Sequence, residues 1–453
     1  MSNSEAAHLY SSNEPKLTNL WPIALPLSGA MLSQALVSLV DTALVGHLGG
    51  LALASVSIGS YLVFILVAIV TGFGTGWHSL LSRQTHSQDG LMVLGLVYGV
   101  LICVGLAITG AYCIHGVIDF FVVDDRLNSL AAHYAQARLW GLPAIVISIG
   151  ARIYWSERGS PWQYTKIILL VHFTNALISF GLVFGVAGLP ALGAVGAGIG
   201  TSIALWLGVL LQLILLLRQS QKPKVATAYL IHKQSLLLLK ATWAPMLQQL
   251  AFALHLAVFL WILSQLGASA MAASFAVLNI GLVMILPAIG LGQATLTLVG
   301  TAMTKQNIQQ TRRWSQLILQ TGLIIAIVIS LSAAAMSPWL TQWLLVNREL
   351  QQLASAALPW YGMAMVLETG IIILSRMVVL TGSRKTVLIL VSASQWLVFL
   401  PLLAWLAPSY GFMLVWWLHI GYRALSVLLL WLIWRQYIKS LLIGLKPSLN
   451  KAE

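Results

Sequence analysis

Two carboxylates lie well inside apolar runs of this sequence, Asp41 in SLVDTALVG and Glu368 in MVLETGIII. An ionised carboxylate in hydrocarbon is costly, so each should face a wet or polar interior and not lipid. A carboxyl group in such an interior can bind and release a proton as its exposure to water changes. Both residues are therefore candidates for the coupling chemistry of a proton-driven exchanger.

Asp41 has polar neighbours at helical spacing. Gln34 lies two turns before it and Ser38 lies one turn before it, so a helix places the three on nearly one face. Such a stripe suits the lumen of a helix bundle. The alternative is that Asp41 lies near the outer end of its helix and touches only headgroups, but a carboxylate there would oppose the helix dipole. We therefore predict that Asp41 is the proton-coupling residue.

Other polar residues inside apolar runs are candidates for a substrate cavity. Asn175 and Ser179 are spaced i, i+4 in NALISFG, and Thr201 follows the glycine-rich run GAVGAGIG. A buried amide needs partners, whereas hydroxyls more often bond back to their own helix. For Glu368, a structural ion pair with Arg376, two turns later, is an open alternative to a functional role.

The composition excludes an ordinary soluble protein. Of 453 residues, 59% are hydrophobic and 8% are charged, whereas soluble domains carry about 25% charged residues. Twelve apolar runs are long enough to span a bilayer. They lie near residues 20–44, 51–80, 91–114, 129–154, 163–184, 193–217, 236–263, 270–301, 315–336, 351–380, 387–406 and 411–434. The sequence predicts an all-α integral membrane protein.

The positive charges follow the predicted topology. Net charge is +13, and with the N-terminus inside the cell the cytoplasmic segments hold eighteen of the 24 Lys and Arg residues, whereas the opposite face holds only Arg126 and Arg348. Cytoplasmic loops of membrane proteins carry this excess. We therefore expect both termini in the cytoplasm and no nucleic-acid partner.

The chain contains an internal repeat. The motif LGxxAxA at residues 48–54 returns at residues 266–272, and PxxG at residues 190–193 returns at residues 408–411. Each half holds six predicted spans, so the two repeats run parallel. The predicted organisation is an N-terminal cytoplasmic tail (1–19), a six-helix bundle (20–217), a cytoplasmic linker (218–235), a second six-helix bundle (236–434) and a C-terminal cytoplasmic tail (435–453).

No sequence motif indicates a metal, nucleotide or nucleophile site. HExxH, GxSxG, Walker A and GxGxxG patterns are missing from the sequence, so we expect no cofactor and no metal. Cys103 and Cys113 lie ten residues apart in one apolar run, too far apart on a helix to form a disulfide. His172, His255 and His419 lie on separate runs and are interpreted as packing residues.

The sequence resembles a known transporter family. The run from Pro26 to Gly49, which includes LVDTALVGHLG, resembles helix 1 of the multidrug and toxic compound extrusion (MATE) family, in its bacterial DNA-damage-inducible F branch. YxxxRxxGxP at residues 134–143 and GxxGxG at residues 193–198 are similar to the helix 4 and helix 6 signatures of that family. The resemblance implies a V-shaped pair of six-helix bundles in the bacterial inner membrane, which exports organic cations in exchange for protons or sodium.

The resemblance also implies roles for individual residues. The acidic residue that couples proton transport in this branch corresponds to Asp41, and Gln34, Asn175 and Thr201 fall on polar positions of the same cavity. At Ser179 the family pattern usually has a second aspartate, so Asp41 would be the sole acid there, which favours one proton per cycle over a two-carboxylate sodium site. Glu368 lies about two residues from the position at which a sister branch of the family has an acid, so it is carried only as a candidate.

The sequence therefore predicts a proton-coupled, monomeric exporter whose partners are amphipathic organic cations or other drugs, H⁺ or Na⁺, and the lipid bilayer. One alternative is a flippase for lipid-linked saccharides, which would need cationic side chains in one cavity to bind a pyrophosphate. Its candidate residues are Arg138, Arg152, Arg376 and Arg423. A second alternative is an intramembrane enzyme, which would need Asp41 and Glu368 close together.

Overall fold

A computed structural model describes residues 15–48, 50–83, 88–121, 125–186, 188–217, 228–345 and 348–443, and the regular elements within these ranges are helices. In chain order they are α1 (Leu17–Gly46), α2 (Gly50–Leu81), α3 (Gln88–Phe121), α4 (Asp125–Leu139), α5 (Leu142–Glu157), α6 (Pro161–Phe184), α7 (Gly193–Leu217), α8 (Ala228–Gln265), α9 (Ala268–Met284), α10 (Leu286–Thr304), α11 (Ile308–Ala335), α12 (Ser337–Leu344), α13 (Arg348–Leu380), α14 (Arg384–Ala393), a π-helical segment (Ser394–Phe399), α15 (Leu400–Tyr410) and α16 (Phe412–Leu442).

The helices have the lengths and composition of membrane spans. Within the described residues, ten helical segments are long and apolar enough to cross a bilayer, and α4 with α5 forms an eleventh span that is bent by 40°. Helix α1 is 30 residues long, which is also enough to span the hydrocarbon core. The structure therefore agrees with the twelve predicted spans, and the chain is an all-α integral membrane protein.

Two predicted spans are interrupted. The run 129–154 is divided between α4 and α5, and the run 270–301 is divided at Ile285 between α9 and α10. In both cases a proline, Pro143 or Pro287, lies in the first turn of the second helix. Proline has no N–H to donate to the preceding turn and disfavours helical geometry in the residue before it, which explains both breaks.

Contacts divide the chain into two compact units, and the division falls inside two long helices. The first unit comprises Leu32–Leu250, and the second comprises Ala251–Glu453 together with the residues of α1 up to Met31. Helices α1 and α8 therefore each contribute to both units. The bundles predicted from the sequence had kept every helix whole.

In the first unit, α2 to α5 surround a core that includes Phe73 and Trp77. The first part of α8 packs against α2 at Gly72 and Gly76. A Cβ at Gly76 would meet the carbonyl oxygen of Ala241 and would lie 2.6 Å from the Cα of Thr242, closer than real Cβ atoms approach. Glycine therefore allows the two helix backbones to touch, as is common between membrane helices.

In the second unit, the first part of α1 takes the equivalent role. Leu20 and Leu27 are fully buried in a core with residues of α10, α11, α13 and α16. A Cβ at Gly290 of α10 would lie 2.8 Å from the backbone nitrogen of Ser28. A second core in this unit contains Phe259 and Phe399, and the π-helical segment belongs to it.

We expect Gly76→Ala to destabilise the protein by about 1–3 kcal/mol, because the added methyl group forces two backbones apart. The measurement is the thermal unfolding midpoint of the protein purified in detergent. Gly105→Ala is the matched control, since a Cβ at Gly105 of α3 meets no atom within 4 Å. An unfolding midpoint for Gly76→Ala equal to that of Gly105→Ala would contradict the close packing of α2 and α8.

Candidate functional site

Asp41 lies in a cluster of polar side chains from three helices of the first unit. Asn175 of α6 donates a hydrogen bond from Nδ2 to Asp41 Oδ2 at 3.3 Å. The Thr201 hydroxyl of α7 lies 3.4 Å from the same oxygen. Ser179, one turn after Asn175, donates to Asn175 Oδ1 at 3.1 Å. The structure therefore brings together four residues, Asp41, Asn175, Ser179 and Thr201, that the sequence analysis named as candidates for one cavity.

The two contacts to Asp41 Oδ2 are not equivalent. The Thr201 hydroxyl also donates to the carbonyl oxygen of Ala197, on its own helix, at 2.9 Å. A hydroxyl has one proton, and the shorter distance to the Ala197 carbonyl oxygen indicates that Thr201 donates it there. Asn175 is therefore the main donor to Asp41. Thr201 behaves as expected for a hydroxyl inside a membrane helix.

The two oxygens of Asp41 have different surroundings. Asp41 is half-buried, whereas Asn175 is 2% exposed and Ser179 is 0% exposed. Oδ2 accepts the hydrogen bond from Asn175, but Oδ1 is buried and has no hydrogen-bond partner among the described residues. Oδ1 is thus the atom of this cluster that can take a proton or contact a cation.

A positive charge also acts on Asp41. Arg138 lies in the last turn of α4 and interacts electrostatically with the Asp41 carboxylate. Since a guanidinium group keeps its proton in proteins, this pair is neutral when Asp41 is ionised and positive when Asp41 is protonated. Protonation of one carboxyl group therefore adds a net positive charge that repels a nearby cation.

Two predicted members of this site cannot be placed in it. Gln34 and Ser38 lie on α1, but their side chains are outside the part of the chain that the structure describes. Their assignment to the cavity stays a prediction from the helical spacing.

Glu368, the acid of the second unit, forms a direct ion pair. Arg423 Nε of α16 lies 2.7 Å from Glu368 Oε2 of α13, and the side chains are 7% and 17% exposed. The alternative considered from the sequence had the right kind of interaction but the wrong arginine, Arg376. Helices α13 and α16 pack together in one core, so the helix opposite Glu368 provides its partner.

Aromatic rings surround this ion pair. The Arg423 guanidinium lies 5.0 Å from the ring centre of Tyr422. Phe399 of the π-helical segment has its ring centre 5.5 Å from that of His255 and 4.5 Å from that of His419. Both histidines are buried in this aromatic core, which agrees with their interpretation as packing residues.

An apolar groove lies beside the cluster but is separate from it. It measures about 470 Å³ and is lined by Trp140, Ile203 and Trp206, among other residues. Its lining contains no charged side chain. The groove therefore offers no ionic chemistry, in contrast to the cluster around Asp41.

Comparison with known protein families gives a direct match. A family model described as MatE matches residues 26–155 and 245–405, which make up more than half of the chain. This chain belongs to the MatE family. Asp41 and Glu368 lie within the matched MatE segments, whereas the residues of α6 and α7 that contact Asp41 lie between them.

The chain matches relatives in this family at low sequence identity but over about two thirds of its length. The chain is 26% identical over 342 residues to the "Probable multidrug resistance protein NorM" of Pasteurella multocida, covering 70% of this chain and 71% of that protein. It is 25% identical over 329 residues to the "Multidrug resistance protein NorM" of Vibrio cholerae, covering 68% and 69%. The DNA-damage-inducible F branch remains a prediction from the sequence.

Solved structures have the same fold as this MatE chain. One is a MOP superfamily transporter from Pyrococcus furiosus, at a TM-score of 0.86 and 18% identity over 93% of this chain and 96% of that chain. A second, described as the outward-facing conformation of a multidrug resistance MATE family transporter, has the same TM-score, identity and coverage. These likenesses establish the fold of the chain.

Sequence reasoning missed two basic partners. Arg138 was considered as a ligand for a pyrophosphate and as part of a family motif but not as a partner of Asp41, and Arg423 was not assigned to Glu368. The signal that could have found both is their position in apolar runs, because an arginine there needs a nearby counter-charge. Which acid each arginine meets depends on helix packing.

We expect Arg423→Gln to destabilise the protein by about 3–5 kcal/mol, because it leaves the Glu368 carboxylate without its counter-charge. The double variant Glu368→Gln/Arg423→Gln should recover most of that loss, since it removes both charges. Chemical unfolding in detergent followed by tryptophan fluorescence measures both. A double variant no more stable than Arg423→Gln would contradict the pairing.

Proposed function

We propose that this member of the MatE family is a secondary active multidrug exporter, which moves amphipathic organic cations out of the cell in exchange for protons by alternating access. The observation that carries this proposal is the state of Asp41. It is a half-buried carboxylate inside a helix bundle, with one oxygen bonded to Asn175 and the other without a partner among the described residues. The relatives named as multidrug resistance proteins support the class of cargo.

The exchange follows from the charge of the cluster. With Asp41 ionised, Oδ1 attracts a cation, and the desolvated surroundings strengthen that attraction. A proton that binds Oδ1 removes the negative charge and leaves the charge of Arg138, so the cation is repelled and released. Loss of the proton on the other side of the membrane restores the starting state. One carboxyl group carries one proton per cycle.

The donor set favours a proton over sodium as the coupling ion. Hard metal cations are held by several oxygen ligands. The described groups that act on Asp41 are instead an amide N–H, two hydroxyls and the Arg138 guanidinium, of which the guanidinium repels a metal ion. A proton needs only one oxygen, and Oδ1 supplies it.

The same proposal covers location and assembly. The excess of Lys and Arg in alternate connections supports a protein of the bacterial inner membrane with both termini in the cytoplasm. A proton gradient supplies the energy, so transport requires no cofactor and no catalytic reaction. The proposal keeps the monomeric state expected from the sequence.

The saccharide flippase is less consistent with the contacts. Such a protein needs unneutralised arginines to bind a pyrophosphate. Arg423 is instead paired with Glu368 at 2.7 Å, and Arg138 acts on Asp41. Cation exchange, by contrast, requires neither arginine to bind an anion.

We expect Asp41→Asn to abolish cation export driven by a proton gradient, because an amide neither gains nor loses a net proton near neutral pH. The measurement is uptake of a fluorescent organic cation into inverted membrane vesicles after acidification of their lumen. Asp89→Asn is the matched control, since Asp89 pairs with Arg158 at 3.5 Å, outside the Asp41 cluster. Proton-driven transport by Asp41→Asn at the control rate would overturn the proposal.

A proton gradient without sodium should drive transport at the full rate, because Oδ1 of Asp41 binds the coupling ion without further ligands. Proteoliposomes with an imposed pH gradient in sodium-free buffer, compared with an imposed sodium gradient at equal pH, separate the two ions. Transport that responds only to the sodium gradient would contradict proton coupling.

A further inference from the structure

Two buried side chains, Ser179 and Asn175, form a directional chain of hydrogen bonds that ends on the half-buried Asp41. The Ser179 hydroxyl donates to Asn175 Oδ1 at 3.1 Å, and Asn175 Nδ2 donates to Asp41 Oδ2 at 3.3 Å. An amide accepts at its oxygen and donates at its nitrogen. The Asn175 amide is thus held at both ends, at its oxygen by Ser179 and at its nitrogen by Asp41.

The opposite orientation of Asn175 would reverse its effect on Asp41. A flipped amide would turn its oxygen towards Asp41 Oδ2, where it repels an ionised carboxylate and accepts a proton from a neutral one. Ser179 is the hydrogen-bond partner of Asn175 Oδ1 among the described residues. A hydroxyl can also accept, so Ser179 could partner a flipped amide as well, and the charge of ionised Asp41 selects the observed orientation. Without Ser179, the buried Asn175 Oδ1 loses this partner and the amide is held only at Asp41.

The position of Ser179 is itself constrained by packing. Ser179 is 0% exposed. A Cβ at Gly200 of α7 would lie 2.7 Å from the Ser179 hydroxyl oxygen and 2.9 Å from the Ser179 Cα. The close approach of α6 and α7 at this glycine therefore confines the serine one helical turn from Asn175.

We propose that Ser179 is a positioning residue that holds the Asn175 amide in hydrogen-bond contact with Asp41 Oδ2, directs the transported proton to Oδ1 and sets the pH at which Asp41 releases it. The proposal rests on the proposed function for the role of Asp41 in transport. It assigns to Ser179 no contact with the cargo.

The test must distinguish the effect of Ser179 from the effects of the other groups around Asp41. Arg138 of α4 is the charged described group that acts on Asp41, whereas α6 and α7 contribute Asn175, Ser179 and Thr201, which do not titrate. The Ser179 hydroxyl also interacts with the Asp41 carboxylate directly. Its single proton can serve one acceptor at a time, and the bond at 3.1 Å assigns that proton to Asn175.

The experiment follows the protonated carboxyl band of Asp41 by infrared difference spectroscopy on the full protein in proteoliposomes, titrated with pH. Loss of the band in Asp41→Asn identifies it. We expect Ser179→Ala to move the pH of the half-maximal band upward by about one unit, the effect of a lost donor to a carboxylate. The pH profile of cation export should move in the same direction.

Two variants distinguish positioning from a general effect on the bundle. Ser202→Ala is the control, because Ser202 is likewise a buried serine with a side-chain hydrogen bond, but it donates to the Ala137 carbonyl oxygen of α4 at 2.7 Å and not to Asn175. It should leave the band midpoint unchanged. In an Asn175→Ala background, Ser179→Ala should cause no further shift, because the residue through which it acts is gone.

The outcomes separate the two proposals. An unshifted midpoint in Ser179→Ala, or a shift that persists in the Asn175→Ala background, overturns the positioning role. The second result would mean that Ser179 donates directly to Asp41. If Ser179→Ala shifts the band as expected but Asp41→Asn still exports cations under a proton gradient, the positioning role stands and the proposed function fails.

Discussion

A charge inside a membrane protein must be neutralised or solvated by groups that the protein itself supplies, because hydrocarbon offers neither. This constraint acts on both units of the chain. In the first unit Asp41 receives a hydrogen bond from Asn175 and the electrostatic effect of Arg138. In the second unit Glu368 receives Arg423. The helices around each acid are packed so that these partner side chains reach its carboxylate.

The two acids satisfy the constraint in different ways, and that difference separates their roles. Glu368 and Arg423 meet directly at 2.7 Å within an aromatic core, a geometry in which removal of either charge is costly. Asp41 receives a neutral donor at 3.3 Å, and its second oxygen has no partner among the described residues. A paired carboxylate suits structural support, whereas a partly satisfied one can change its protonation state.

Close backbone contacts support both arrangements. Glycines at positions 76, 200 and 290 lie where another helix passes within the reach of a single methyl group. The first part of α1 packs in the second unit, while Asp41, later on the same helix, belongs to the first. In helix α8 the order is reversed, since its first part belongs to the first unit and its later part to the second. Among the described residues, the chain therefore passes from one unit to the other inside helices α1 and α8.

The sequence by itself determined the class of the protein and the chemistry worth seeking. The length of its apolar runs matches the thickness of a bilayer and is a local property of the chain, so the all-helical membrane fold could be predicted. The family could be predicted from the motif around Asp41. The scarcity of acids singled out Asp41 and Glu368, and the i, i+4 spacing of Asn175 and Ser179 placed those two on one helical face.

Only the tertiary structure decided which side chains meet. Asn175 and Asp41 are 134 residues apart, and Glu368 and Arg423 are 55 residues apart, so each contact depends on how distant helices pack. The sequence therefore offered Arg376, close along the same helix, as the partner of Glu368, and the packing of α16 supplied Arg423. Helix packing is set by the shapes of whole surfaces, including glycines that allow backbones to touch, and no local pattern encodes it.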